Sequence, residues 1–472
     1  MSSTRLLKAR LKRFRKTRGV LLFEPTPLDD IERLHEEGLS FYEPALYIPG
    51  QMLVQKAARR DAESVLRSLD VDFDTRDVTP EGLARLHVAS TNIPDLALEV
   101  EDSIRGTRRT KSAGAMASDG EKPYGNRADS DIRSRLDNMG RRLNEPTLAS
   151  PNHCFTPTPV CGVGPADEPI PADPIPPPQG TAGKGVRIAV IDTGIFTDIS
   201  EHPWLAKDVH YTCSDVERPD RNRDGIIDYV AGHGHFVAGI IRTAAPGSTI
   251  FVERLFHNGT FIHEWQLRQK LEQVLDADPH IINLSLTGQT FHGGPPVGLR
   301  DVWRRLKSQR PRIVVVASAG NAGVNHPFWP AAQPEVLSVG AVDRSSLLPA
   351  HPRDFSNYGP WVDVYALGVD VVNAYTTGKL KYEDPAKPAS ARTATFTHPF
   401  CSWSGTSFSA PLVTGRIAAR MTSTTSHLSA KKASELVVAD AHAATLAAGI
   451  GPNGTTIPVP TAPDGSPIHV VR

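Results

Sequence analysis

A chain of 472 residues with 39% hydrophobic content is long enough for one large domain and a smaller companion, and too apolar to be disordered throughout. Lysine plus arginine equals aspartate plus glutamate at 52 each, so bulk charge points to neither nucleic acid nor a membrane surface as partner. No apolar run approaches the roughly 18 residues that a bilayer-spanning helix needs.

Residues 1–40 form a basic segment. Arg5, Lys8, Arg10, Lys12, Arg13, Arg15, Lys16 and Arg18 precede an apolar stretch of only Gly19 to Phe23, too short for the core of a secretory signal. The default expectation is a cytoplasmic protein, with secretion left open, and a solvated charged helix is favoured over a nucleic-acid-binding arm. Residues 41–102 read as a small α+β unit: an extended run at 51–55, a helical stretch at 57–69, and extended runs at 83–88 and 96–100. From 103 to 185 the chain is rich in Gly, Ser, Pro and charge and ends in the proline run 169–178, the composition of a linker.

Residues 186–445 carry an α/β pattern. Apolar runs at 186–191, 249–252, 281–286, 313–317 and 336–340 alternate with helical stretches at 263–276 and 298–309. Runs that are apolar on both faces predict a parallel central sheet with helices on both faces, and such sheets gather reacting groups at the carboxyl ends of their strands. Residues 446–472 are Gly- and Pro-rich and read as a loosely held tail. Cys154, Cys161, Cys213 and Cys401 are too few for a disulfide framework and contain no Cys-x-x-Cys, so reduced thiols are expected, with a 154–161 loop open only to an oxidising compartment.

Four motifs in the α/β region carry chemistry. Ile188-Ala-Val-Ile-Asp-Thr-Gly194 ends a buried strand in Asp192, where a carboxylate is rigid enough to hold an imidazole in one tautomer. Gly232-His-Gly-His-Phe-Val-Ala-Gly-Ile240 sets His233 between two glycines at the head of an apolar helix, and the glycine register favours it over His235. Ser404-Gly-Thr-Ser-Phe-Ser-Ala-Pro411 places Ser407 near a helix start, where free N–H groups face a developing oxyanion. Val314-Val-Val-Ala-Ser-Ala-Gly-Asn321 delivers the Asn321 amide from a strand end. Each alone has a bland reading as a turn former, a structural histidine or a helix cap.

Together the four motifs resemble the subtilisin-like serine proteases, or subtilases, over about 186 to 445. The order Asp, His, Ser is that of subtilisin, and Trp329 to Asp343 and Phe355 to Val364 look like the segments that follow in that family. The resemblance implies a serine endopeptidase in which Ser407 is the nucleophile, His233 the general base, Asp192 its orienting carboxylate and Asn321 part of the oxyanion hole. It also implies that Ser285 and Leu286 line the substrate-binding edge, that Trp329–Pro330 is cis, and that the substrate is a protein or peptide. The 41–102 unit resembles a subtilase propeptide, so the chain's own N-terminal region becomes an expected inhibitor. The chain departs from the family at His235, Phe236, Thr287 and Leu367; none of these removes a catalytic group, while His235 is expected to act on His233 by like-charge repulsion and Thr287 to narrow the specificity pocket.

No cofactor is required for this chemistry. The sequence Asp220-Arg-Asn-Arg-Asp-Gly-Ile-Ile-Asp228 matches the front half of a calcium loop, with Asp220, Asn222, Asp224 and Asp228 as ligands and Gly225 at the sixth position. Ala231 stands where the bidentate glutamate belongs, which weighs toward a polar turn. A lipase-type hydrolase is disfavoured because Gly-x-Ser-x-Gly is absent. A catalytically silent binding protein on the same fold remains as the alternative class, although no triad member is missing.

Overall fold

The structure is a computed structural model that describes residues 21–23, 45–89, 96–97, 99–105, 148–157, 168–257, 262–290, 293–343, 355–382, 392–423, 427–448 and 469–471. Eight parallel strands form the central sheet in the order Val470–Val471, Val364–Leu367, Val336–Val342, Val314–Ser318, Ile281–Leu284, Arg187–Asp192, Thr249–Arg254 and Val209–His210. Their apolar character on both faces follows from what covers them. Ile188, Val190, Ile250, Val316 and Val339 pack against Phe236, Ile241, Val413 and Ile417 of helices His233–Ala244 and Thr406–Met421. On the opposite face Ala189, Ile191, Ile282, Leu284 and Val315 meet Leu267, Leu271, Val302 and Leu306 of helices Glu264–Asp276 and Arg300–Gln309. Each large aliphatic side chain so buried contributes about 1.5–3 kcal/mol, so the two cores fix the carboxyl ends of the strands against the two helix starts that carry His233 and Ser407. This is the α/β architecture expected from the apolar runs.

The N-terminal unit is an antiparallel sheet backed by a helix. Strand Ala45–Val54 pairs with Ala84–Val88, which pairs with Phe73–Val78, and Ala62 and Leu66 of helix Arg59–Ser68 pack on Met52, Val54, Leu86 and Val88. Within the interval 41–102 two sequence readings are corrected. Of the run at 96–100, read as extended, residues 96–97 and 99–100 are helical, as are 101–105: Leu96, Ala97, Val100 and Ile104 are buried on the same core, a spacing that only a 3.6-residue period brings to one face. The strand Phe73–Val78 has no counterpart in the sequence reading.

A third correction bears on function. The interval 103–185, read as linker, contains the nine-residue strand Ala149–Pro157, buried along its whole length. It pairs antiparallel with Ala45–Val54 on one side and with Ile262–His263 and Leu286–Thr287 on the other. Polar residues and prolines hide it in the sequence, because the apolar surroundings come from two other parts of the chain. The tail also is not wholly loose: Val470–Val471 adds the terminal parallel strand beside Val364–Leu367. Residues 1–20, most of 103–147 and Cys161 lie outside the described residues, and with them the basic segment and the 154–161 pairing; Cys213 and Cys401 are free thiols. Among the described residues no helix is long and apolar enough to cross a membrane.

Candidate active site

Asp192 is the last residue of its strand and only 1% exposed. Its Oδ1 accepts from Thr193 N at 2.7 Å and lies 2.7 Å from His233 Nδ1. That contact assigns the Nδ1 proton to the carboxylate side and leaves Nε2 as the basic nitrogen. His233 opens its helix and is fully buried, its ring 5.4 Å from Phe408 and 5.7 Å from Trp403.

The glycines around His233 are required sterically. Gly232 has φ 81°, and a Cβ there would sit 2.4 Å from the Phe196 ring, so both the left-handed backbone and the close approach exclude a side chain. A Cβ at Gly234 would lie 2.6 Å from Gly194 O and 3.0 Å from Asp192 Cβ. The histidine therefore reaches the carboxylate only because both neighbours are bare.

Ser407 is the second residue of helix Thr406–Met421, and its backbone carbonyl accepts from Ser285 Oγ at 2.8 Å. Phe408, the next residue, is the ring that packs on His233. Ser285 is itself held by Asn283 Nδ2 at 3.0 Å, and Asn283 Oδ1 by Thr414 Oγ1 at 3.0 Å. The segment Ser285-Leu286 is thereby tied to helix Thr406–Met421 by a buried polar chain.

Asn321 completes the group. Its Oδ1 accepts from Thr406 N and Thr406 Oγ1, both at 2.9 Å, while Gly320 N donates to the same Thr406 hydroxyl at 3.0 Å. These bonds settle which end of the amide is oxygen, and Nδ2 is left buried without a hydrogen-bond partner among the described residues. A buried donor left unpaired costs about 1–3 kcal/mol, which makes this amide a candidate donor to an incoming acceptor. Thr406 was passed over in the sequence reading, although its place directly before Ser407 was the available signal.

The remaining candidates fall elsewhere. Leu286 and Thr287 are buried and already paired, opposite Pro157 and Thr156. His235 is engaged elsewhere: its Nδ1 accepts from Phe196 N at 3.4 Å and its ring lies 5.2 Å from Phe196 and 5.5 Å from His202. Burial, then His202, drive its pKa well below the usual imidazole range, so it is uncharged and the expected like-charge repulsion is absent. Trp329–Pro330 is cis.

The acidic loop is held by hydrogen bonds to its own backbone and to Arg221. Asp220 accepts from Asp224 N and Gly225 N, Asp224 from Ile226 N, and Asp228 Oδ2 from Arg221 N and Nε. Among the described residues no group of three or more His, Cys, Asp or Glu side chains is placed to hold a metal ion. The bonds within the loop are those of an Asx-type turn, and no step of the chemistry is routed through calcium.

Comparison with known proteins matches residues 183–456 to the subtilase family. The thermophilic serine proteinase of Bacillus sp. (strain AK1) is 31% identical over 219 residues, 46% of this chain and 51% of that protein. Subtilisin Savinase of Lederbergia lenta is 30% identical over 207 residues, 42% of this chain and 69% of that protein. The chain thus spans about half the length of the first of these relatives. Among solved structures, the patellamide maturation protease PatA is 25% identical with a TM-score of 0.41, covering 54% of this chain and 85% of that one. The family match takes in the Asp192, His233, Asn321 and Ser407 motifs and more than half of the sequence, and the chain belongs to the subtilase family.

Proposed function

We propose that this chain is a serine endopeptidase whose own N-terminal unit occupies the substrate edge until it is displaced. His233 donates through Nδ1 to Asp192 and takes the Ser407 hydroxyl proton at Nε2 as Oγ attacks the scissile carbonyl. The developing oxyanion accepts from the Asn321 amide and from the Ser407 N–H in the first turn of its helix. The imidazolium then returns the proton to the leaving amine, and water enters by the same route to release the acyl group from Ser407.

One observation carries this reading: the buried 2.7 Å contact between Asp192 and His233 stands in the same core as an asparagine amide whose oxygen is tied down and whose nitrogen is unpaired. A buried structural asparagine ordinarily has both ends satisfied. Peptide as substrate is supported by the edge at Leu286–Thr287, which already accepts an extended segment as an added antiparallel strand. Because that segment is the chain's own 149–157, the same contact supports self-inhibition.

The test is labelling by a fluorophosphonate probe together with hydrolysis of an unstructured peptide. Wild-type protein should label and hydrolyse, Ser407→Ala should do neither, and terminal sequencing should find a new N-terminus between 158 and 167 in the wild type alone. If limited proteolysis of the N-terminal unit leaves the wild type no more reactive than Ser407→Ala, the reading as an enzyme fails and the silent binding protein takes its place.

A further inference from the structure

Glu217 ends the short strand Val216–Glu217, which runs parallel to Ile195–Phe196 just past the Asp192 turn. Its side chain is 6% exposed, and a carboxyl at that depth is tolerated only when hydrogen-bonded. Glu217 Oε2 accepts from Thr193 Oγ1 and from Gly232 N, each at 2.9 Å. The Thr193 hydroxyl in turn accepts from Gly234 N at 3.0 Å. A single carboxylate oxygen thus joins the residue after Asp192 to Gly232 directly and to Gly234 through one hydroxyl, which are the two neighbours of His233. Thr193 N closes the circuit on Asp192 Oδ1, the same oxygen that His233 Nδ1 approaches.

We propose that Glu217 is the positioning residue for the Asp192–His233 pair, setting their mutual angle through Thr193, Gly232 and Gly234 without touching substrate. The inference rests on the triad reading above. The charged and titratable groups that face it are Arg254 from strand Thr249–Arg254, Asp192 from its own strand, and Tyr375 from the turn after strand Val371–Ala374. Arg254 spends Nη1 on Val216 O at 2.6 Å and its backbone N on Asp215. Burial outweighs the two hydrogen bonds and Arg254, and lifts the carboxyl to about 7. Near neutrality the strap therefore exists in two forms, and the ionised one is the stronger acceptor.

Two variants of the full chain test this, Glu217→Gln and Glu217→Asp. Peptide hydrolysis is followed across pH, and the downfield proton resonance of His233 Nδ1–H supplies a readout that needs no turnover. For Glu217→Gln we expect kcat to fall roughly tenfold with KM nearly unchanged, the cost of a small misplacement of the base. The imidazole midpoint should move down by roughly half a unit or more, because loss of a nearby negative charge disfavours the imidazolium. Glu217→Asp keeps the charge but is one methylene shorter, so it should restore the midpoint and not kcat. Wild-type kcat together with an unmoved imidazole midpoint in Glu217→Gln overturns the proposal. So does a fall in activity matched by a smaller probe-labelled fraction with normal turnover per labelled site, which is loss of folding and nothing more. Should wild type and Ser407→Ala prove equally inert while the imidazole still responds to Glu217→Gln, the triad reading fails and the positioning role stands.

Discussion

Replacing Phe155 by alanine isolates the contact by which the N-terminal unit covers the substrate edge. Phe155 is fully buried, packed with Leu255, Phe256, Ile262 and Leu286, and its backbone pairs with Ile262 while the next two residues pair with Thr287 and Leu286. In a displaced state the ring meets water, so its truncation removes a driving force for closure and leaves the triad residues untouched. Transfer of an aromatic side chain accounts for about 1.5–3 kcal/mol, and the unfilled site adds to this, since Phe→Ala in cores costs about 3–5 kcal/mol. Taking about 2–4 kcal/mol for the shift in the closed-to-open equilibrium predicts a 30- to 700-fold larger open population, at about 1.4 kcal/mol per tenfold. Fluorophosphonate labelling of Ser407 in the uncut chain reads that population as a rate. A labelling rate within about threefold of wild type, at equal folded fraction, would refute the claim that strand Ala149–Pro157 closes the site.

Two further outcomes are expected. Asn321→Ala should lower kcat by about 10²–10³, the loss seen when one oxyanion donor is removed from subtilisin, with KM little changed; measured kinetics in which KM rises and kcat holds would assign the amide to ground-state binding instead. His235→Thr should flatten the acid limb of stability. The folded state keeps His235 neutral by burial while the unfolded chain protonates it below about 6.5, so wild-type stability falls as pH drops through that value, by up to about 1.4 kcal/mol per pH unit for one group. Denaturant midpoints of wild type and variant between pH 7 and 5 check it; parallel curves would mean that the imidazole is protonated in the folded protein.

Five of the eight strands of the central sheet were legible as continuous apolar runs covered on both faces, and the four candidate residues stood out because Asp192 and Asn321 follow such runs while His233 and Ser407 sit at helix starts with a local signature. What escaped has a common physical origin in non-local environment. Strand Ala149–Pro157 contains Ser150, Asn152 and His153, all buried, and their partners lie in other segments: Asn152 Nδ2 donates to Gln51 Oε1 at 2.7 Å and Asn152 Oδ1 accepts from Trp265 N at 3.3 Å. Nothing in the local pattern marks such a segment as a strand. Residues 96–100 failed in the opposite way, since Leu96, Leu98 and Val100 alternate like a strand while the core lies on the helical face. Glu217 sits in a polar stretch where a lone acid carries no signal, and its role emerges only when Thr193 and Gly232 are brought to it.

The polar contacts between the N-terminal unit and the rest of the chain bear on how firmly the site is closed. Glu264 is fully buried at the start of helix Glu264–Asp276; its Oε2 lies 3.1 Å from His153 Nδ1 and its Oε1 accepts from Gly298 N. Gln55 Nε2 donates to Val297 O at 2.8 Å, and Leu53, Leu83, Trp265 and Val297 form an apolar cluster across the same boundary. Withdrawing the unit therefore exposes an apolar patch and a buried carboxylate together. The patch resists opening by the area it returns to water. The carboxylate gains hydration that offsets the contact it loses. Most of the holding free energy accordingly resides in Phe155, Leu53, Trp265 and the shared backbone ladder, and the His153–Glu264 contact contributes register more than strength. A chain cut after 157 keeps every one of these contacts, so cleavage alone does not open the edge; the cut unit has to dissociate or be degraded before an external peptide can take its place.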